Sequence, residues 1–163
     1  MRDYYFFLHS CIFFNTSSSE QEKEDLISLI LETCRQIEEK NVADIDKVLD
    51  NVEFIVYKPI EGNNELDNQI SSPDGGVTIK SCWRCFIIYY PLKRFQHRET
   101  QLYILAHEFA HAFYKHPITK PCPMRSELEK FDHEADAKAV EWGFKPHKDD
   151  ENDTYRKYFD QKS

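Results

Sequence analysis

Apolar and polar positions alternate along this chain with two distinct periods, and the change from one to the other predicts its elements. After Ser19, the residues Leu26, Ile30, Cys34 and Ile37 recur at three- and four-residue intervals, which predicts an amphipathic helix to about Lys40. Ser19 and Glu22 have the spacing of a capping box at its start, and Asn41 is a natural stop. A shorter helix from about Ala43 to Asn51 uses Ile45, Val48 and Leu49. Val52 to Tyr57 then reads as a strand ended by Pro59, and further strands are expected at Val77 to Ser81 and about Trp83 to Tyr90. Between them, Glu61 to Gly76 is polar and rich in turn residues. The start of the chain, Met1 to Phe14, is aromatic and is expected to pack as a strand. His9 interrupts its apolar middle and no small-residue cleavage site follows, so it does not read as a secretory leader.

The strongest helical pattern lies between Thr100 and His116. Leu102, Leu105, Ala106, Phe109, Ala112 and Phe113 share its apolar surface and Pro117 stops it. A second helix is expected to open at Ser126, with Glu129 completing a capping box, and to close at Gly143. Its apolar side is Leu128, Phe131, Ala135, Ala139 and Trp142. The residues after Lys148, to Ser163, form a charged tail.

The first of these two helices carries an unusual burden for an apolar element: His107, Glu108 and His111. Ionisable groups in a core require a compensating partner, so their presence among Leu, Ala and Phe calls for a reason. His107 and His111 are one turn apart on one face and can hold one zinc ion. Glu108, roughly 100° further round, can reach a water on the open side of that metal. This is the division of labour of a zinc hydrolase, with Glu108 as general base and one zinc ion per chain.

These residues, followed by Asp132-His133-Glu134-Ala135-Asp136, resemble the gluzincin-type metallopeptidases and, among them, the small ImmA/IrrE-type peptidases. That family pattern is HExxH, often with a further His five residues on, here His116, and then Glu-x-x-Ala-Asp/Asn on a second helix. The match covers about residues 85 to 144 and departs from the pattern at Asp132, where the family has Glu. Two assignments of the third metal ligand follow. In the family register Asp132 binds the metal and Asp136, one turn later, orients a ligand histidine from behind. In the shifted register Glu134 binds instead. Positions 132 and 134 point about 200° apart, so both cannot coordinate one ion. The family register is preferred because it alone gives Asp136 a role. Tyr89, Tyr90, Arg84 and His133 are the candidates for stabilising a transition-state oxyanion. His116 reads as a partner of the helix dipole or of packing rather than as a ligand.

The resemblance implies an α+β, zincin-like metallopeptidase domain, with a small mixed sheet packed on the HExxH helix and a second ligand-bearing helix. It implies a zinc-dependent endopeptidase acting on a specific protein, such as a repressor or other regulator in a phage, stress or defence response. The alternative is a zinc-stapled interaction module without catalysis, in which Glu108 would have no task.

Composition narrows this further. The chain has 163 residues and a net charge of −8, consistent with one domain over 1–163 whose metal-site core spans about 77–144. Its Lys and Arg are scattered, which argues against a nucleic-acid partner. No run is long enough for a membrane span. Five cysteines, at positions 11, 34, 82, 85 and 122, are an odd number without a leader pattern. Free thiols and a cytoplasmic location are therefore expected. Cys82 and Cys85 have no matching second pair and read as structural.

Overall fold

A computed structural model describes residues 4, 12–14, 19–57, 76–80, 85–89, 97–116 and 125–148. Helix α1, Glu20–Lys40, begins as its sequence dictates. The Ser19 hydroxyl accepts from the Glu22 N–H at 3.3 Å, while the Ser19 N–H donates to the Glu22 carboxylate at 2.7 Å. Asn41 both ends this helix and starts the next. Its N–H donates to the Ile37 carbonyl at 2.8 Å, and its side chain accepts from the Ala43 N–H at 3.0 Å. Helix α2, Val42–Asn51, buries Asp44, Ile45, Val48 and Asn51, with Leu49 only partly buried.

The chain then enters a four-stranded arrangement of β1 (Ile12–Phe14), β2 (Val52–Tyr57), β3 (Gly76–Lys80) and β4 (Cys85–Tyr89), in the order β1-β2-β4-β3. β1, β2 and β4 run parallel, and β3 is antiparallel to β4. Ile12, Ile55 and Ile87 stand beside one another across the three parallel strands and are all buried. Val52 is buried as well, although it stands three positions before Ile55, an offset that would put the two on opposite faces of a regular strand. A register irregularity between Val52 and Phe54 resolves this, because one extra residue restores the same face to both.

Helix α3, Arg98–Tyr114, carries the two candidate histidines, and helix α4, Arg125–Glu141, carries the downstream carboxylates. α3 is buried on nearly every side, including Leu102, Ile104, Leu105, Phe109, Ala110 and Ala112. α4 begins before the expected point, so Ser126 lies inside its first turn rather than capping it. It does close at Gly143, whose φ of 95° is open to a residue without Cβ. There the Gly143 and Phe144 N–H groups take up the carbonyls of Val140 and Ala139.

The expected fold class is corrected by this architecture. In place of the expected α+β zincin-like domain, the residues described with their side chains are mostly helical, 77% of them in four helices. The physical reason is where the core lies. Among the residues whose side chains are described, most of the buried apolar ones come from α1, α2, α3 and α4, whereas the strands add Ile12, Val52, Ile55, Cys85 and Ile87. Short apolar strands weigh as heavily as helices in a periodicity reading, yet each has few residues to bury. Among the described residues no helix is long and apolar enough to cross a membrane. The polar segment 61–75, most of the aromatic start and the tail beyond 148 lie outside the described residues.

Candidate metal centre

On α3 the expected face is realised at atomic distance. His107 and His111 bring their Nε2 atoms to 2.9 Å, with the rings edge to face and their centroids 4.6 Å apart. α4 supplies the third group, as Asp132 places a carboxylate oxygen 3.5 Å from His111 Nε2. One donor atom from each of His107, His111 and Asp132 lies within 4.8 Å of the others. Two imidazole nitrogens and a carboxylate oxygen are the donors that zinc takes in a hydrolytic site, where three protein ligands leave one position open. The Asp132 side chain is 47% exposed while that of His111 is 4% exposed, so solvent reaches the cluster from the Asp132 side. The set is a candidate zinc-binding triad consistent with an HExxH-type metallopeptidase site.

Behind the triad, the polar atoms of the core find partners. Asp136 accepts from His107 Nδ1 at 2.7 Å and from the Tyr103 hydroxyl at 2.7 Å, both on the same oxygen. Burial alone would raise the Asp136 carboxyl, but the hydrogen bond and charge of His107, with the Tyr103 donor, hold it below its ordinary value. Burial likewise works against a charged His107. The Asp136 hydrogen bond and the carboxylates of Glu108, Asp136 and Asp132 overcome it and lift His107 to about 9. His111 goes the other way, to about 4, because burial and the neighbouring His107 and His116 outweigh Asp132.

Glu108 is buried on α3 between the two histidines in sequence. Glu134, the alternative third ligand, is directed elsewhere: its carboxylate lies 3.1 Å from His116 Nε2 and 3.6 Å from Lys130 Nζ. His133 is exposed on α4. Arg84, Tyr90 and the Tyr89 side chain lie outside what is described. Cys85 and Cys34 are buried, and burial pushes the Cys34 thiol up to about 12. Cys82 lies outside the described residues.

Three arrangements escaped the sequence reading. Tyr103 sits one turn before His107, a spacing visible in the sequence but without meaning until Asp136 is placed opposite. His97 and His147 stack at 3.8 Å, which joins the start of α3 to the chain after α4. Asp44, Lys138 and Trp142 form a buried polar knot between α2 and the end of α4. Neither a protein-family model, nor a curated protein, nor a solved structure matches this chain.

Proposed function

We propose that the protein is a zinc-dependent endopeptidase that cuts a specific protein substrate. The observation that carries this reading is the triad of His107, His111 and Asp132 with one exposed side, next to a buried glutamate that the triad does not require as a ligand. A closed structural zinc site would use four ligands and have no role for such a base.

Zinc bound there supplies Lewis acidity toward the scissile carbonyl and makes a nearby water easier to deprotonate. Glu108 takes the proton from that water as its oxygen bonds to the carbonyl carbon. It then delivers the proton to the leaving nitrogen as the C–N bond breaks, so the carboxylate is regenerated. Asp136 and Tyr103 keep His107 oriented by fixing its Nδ1 side. An extended peptide is the substrate form that an edge strand suits, and among the described residues β3 ends the sheet order. By resemblance to ImmA/IrrE-type peptidases, the substrate is a repressor or another regulator, and the site of action is the cytoplasm.

The test exploits the one motif residue that zinc binding does not use. Glu108→Gln preserves size and hydrogen bonding, so zinc and partner binding are expected to persist while cleavage falls roughly 100- to 10,000-fold. Partners captured with the Glu108→Gln chain from the native cell, under the inducing condition, are then incubated with zinc-loaded wild-type protein. A discrete cut supports the peptidase. Partners that stay intact, and that function equally with either chain, establish the interaction module instead.

A further inference from the structure

The turn that ends α3 does more than stop the helix. Lys115 adopts the left-handed conformation, with φ of 54° and ψ of 45°. A residue with a Cβ reaches that region at a steric cost that glycine avoids. The consequence is that the chain folds back on its last turn. The His116 N–H donates to the His111 carbonyl at 3.1 Å, and the two rings meet with Nδ1 2.8 Å from Nδ1. The His116 ring is buried and stacks nearly parallel with Tyr114, at 5.2 Å and 17°, and with Phe131, at 4.6 Å and 21°. Its other nitrogen, Nε2, lies 3.1 Å from the Glu134 carboxylate.

Proton positions along this line are determined by valence. His111 directs Nε2 toward His107 and Asp132, so when that atom ligates, Nδ1 carries the hydrogen. The His116 Nδ1 must then accept, which leaves its own hydrogen on Nε2, aimed at Glu134. Each nitrogen has one role, and the chain of bonds runs in one direction from His111 to the carboxylate.

We propose that His116 and Glu134 are positioning residues for His111, holding its ring and tautomer through this two-step hydrogen-bond chain. The proposal rests on the zinc reading above, because it assigns outer partners to a ligand of that site. It also gives Glu134 a task. Two positions after Asp132 and about 200° round α4, Glu134 cannot reach the side of the metal that Asp132 serves. An interposed imidazole carries its pull to His111 instead. Outer partners of metal-bound histidines are ordinarily carboxylates, carbonyls or water in direct contact. Here the carboxylate acts at one remove, while Asp136 acts on His107 directly.

Zinc affinity, measured by competition with a chromophoric chelator, separates positioning from packing. His116→Phe keeps an aromatic ring between the same neighbours but cannot accept a hydrogen bond. An affinity loss of roughly 10- to 100-fold is expected, with His116→Gln recovering most of it through its carbonyl oxygen. Glu134→Ala, at a side chain that is 41% exposed, is expected to fold and to weaken zinc about tenfold. In the cobalt-loaded protein, the exchangeable Nδ1–H signal of His111 is protected in wild type and exchanges rapidly in His116→Phe. Wild-type affinity in both His116→Phe and Glu134→Ala overturns the chain. Should His116→Phe fail to fold, the Glu134→Ala result decides alone. A loss beyond about 1,000-fold on Glu134→Ala also overturns it, by making Glu134 a ligand. If wild-type protein itself binds no zinc, it is the endopeptidase reading that fails, before any variant is compared.

Discussion

His107 and His111 stand one turn apart on α3, and their outer neighbours differ in kind. Asp136 with Tyr103 supports positive charge on His107, while His111 faces His116, another imidazole. Each ligand therefore contributes through a separate set of contacts, which makes their substitutions distinguishable. Wild-type protein is expected to hold about one zinc per chain by elemental analysis, and His107→Ala with His111→Ala to hold almost none; full retention by that double variant would remove the site. Asp132→Ala should weaken zinc far more than Glu134→Ala, since the first removes a group from the triad and the second a group behind it. Asp136→Ala is expected to fall between them, at roughly 10- to 100-fold. Tyr103→Phe leaves Asp136 bonded to His107 and should cost only a few-fold.

At the scale of elements, the site depends on how α4 is held, because Asp132 and Asp136 both stand on it. Its inner face buries Ala135, Ala139 and, just past the end, Trp142. The polar knot adds direction: Asp44 Oδ2 accepts from Lys138 Nζ at 2.7 Å and from the Trp142 indole at 2.8 Å. Lys138 and Asp44 side chains are only 8% and 10% exposed, so removing either leaves the other charge poorly solvated. Asp44→Ala is expected to lower unfolding stability by about 3 kcal/mol, the low end for a broken buried pair, since Glu141 still contacts Lys138 at 2.8 Å.

The same pair sets a pH window. For Asp44, burial pushes the carboxyl up, but Lys138 and Trp142 bring it below its ordinary 3.8. Its contribution is therefore present above that value and lost as pH falls through the lower folded value. Lys138 is disfavoured by burial yet raised above 10.5 by Asp44 and Glu141, so its contribution is present below 10.5 and lost as pH rises through the higher folded value. Denaturant unfolding across pH should show both limbs in wild type, with the alkaline one abolished in Lys138→Met. An unchanged alkaline limb in that variant would assign it to other groups.

Across the whole molecule, α3 is the element against which the others are arranged. Asn51, at the end of α2, donates to the Ala112 carbonyl at 3.0 Å, while Arg98 at the start of α3 reaches Glu32 and Ser28 on α1. Because the triad joins α3 to α4, zinc should bind the folded chain in preference to the unfolded one. Thermal unfolding is then expected to shift upward with zinc, by an amount equivalent to about 4 kcal/mol at 1,000 times Kd. The His107→Ala and His111→Ala double variant should show no shift. A shift of equal size in that variant would place the metal elsewhere.

Much of this was legible in the order of residues, for reasons that are local. Capping at Ser19 and Asn41, the closure of α4 at Gly143 and the one-turn spacing of His107 and His111 follow from backbone geometry over three to five positions. What local spacing cannot carry is the relation between elements. The balance between helix and sheet is one such relation, since periodicity counts apolar residues without the area that each buries; among the described residues α3 is enclosed chiefly by other helices and the strands are short. Asp132 and Glu134 are two residues apart with similar chemistry, and only the packing of α4 on α3 decides which faces the histidine pair and which faces His116. The left-handed turn at Lys115 has no sequence signal at all, since lysine is not a residue that favours it. Local sequence thus determined the helices and the donor atoms, whereas tertiary contact decided their partners, because a hydrogen bond between α3 and α4 depends on a placement that neither segment specifies alone.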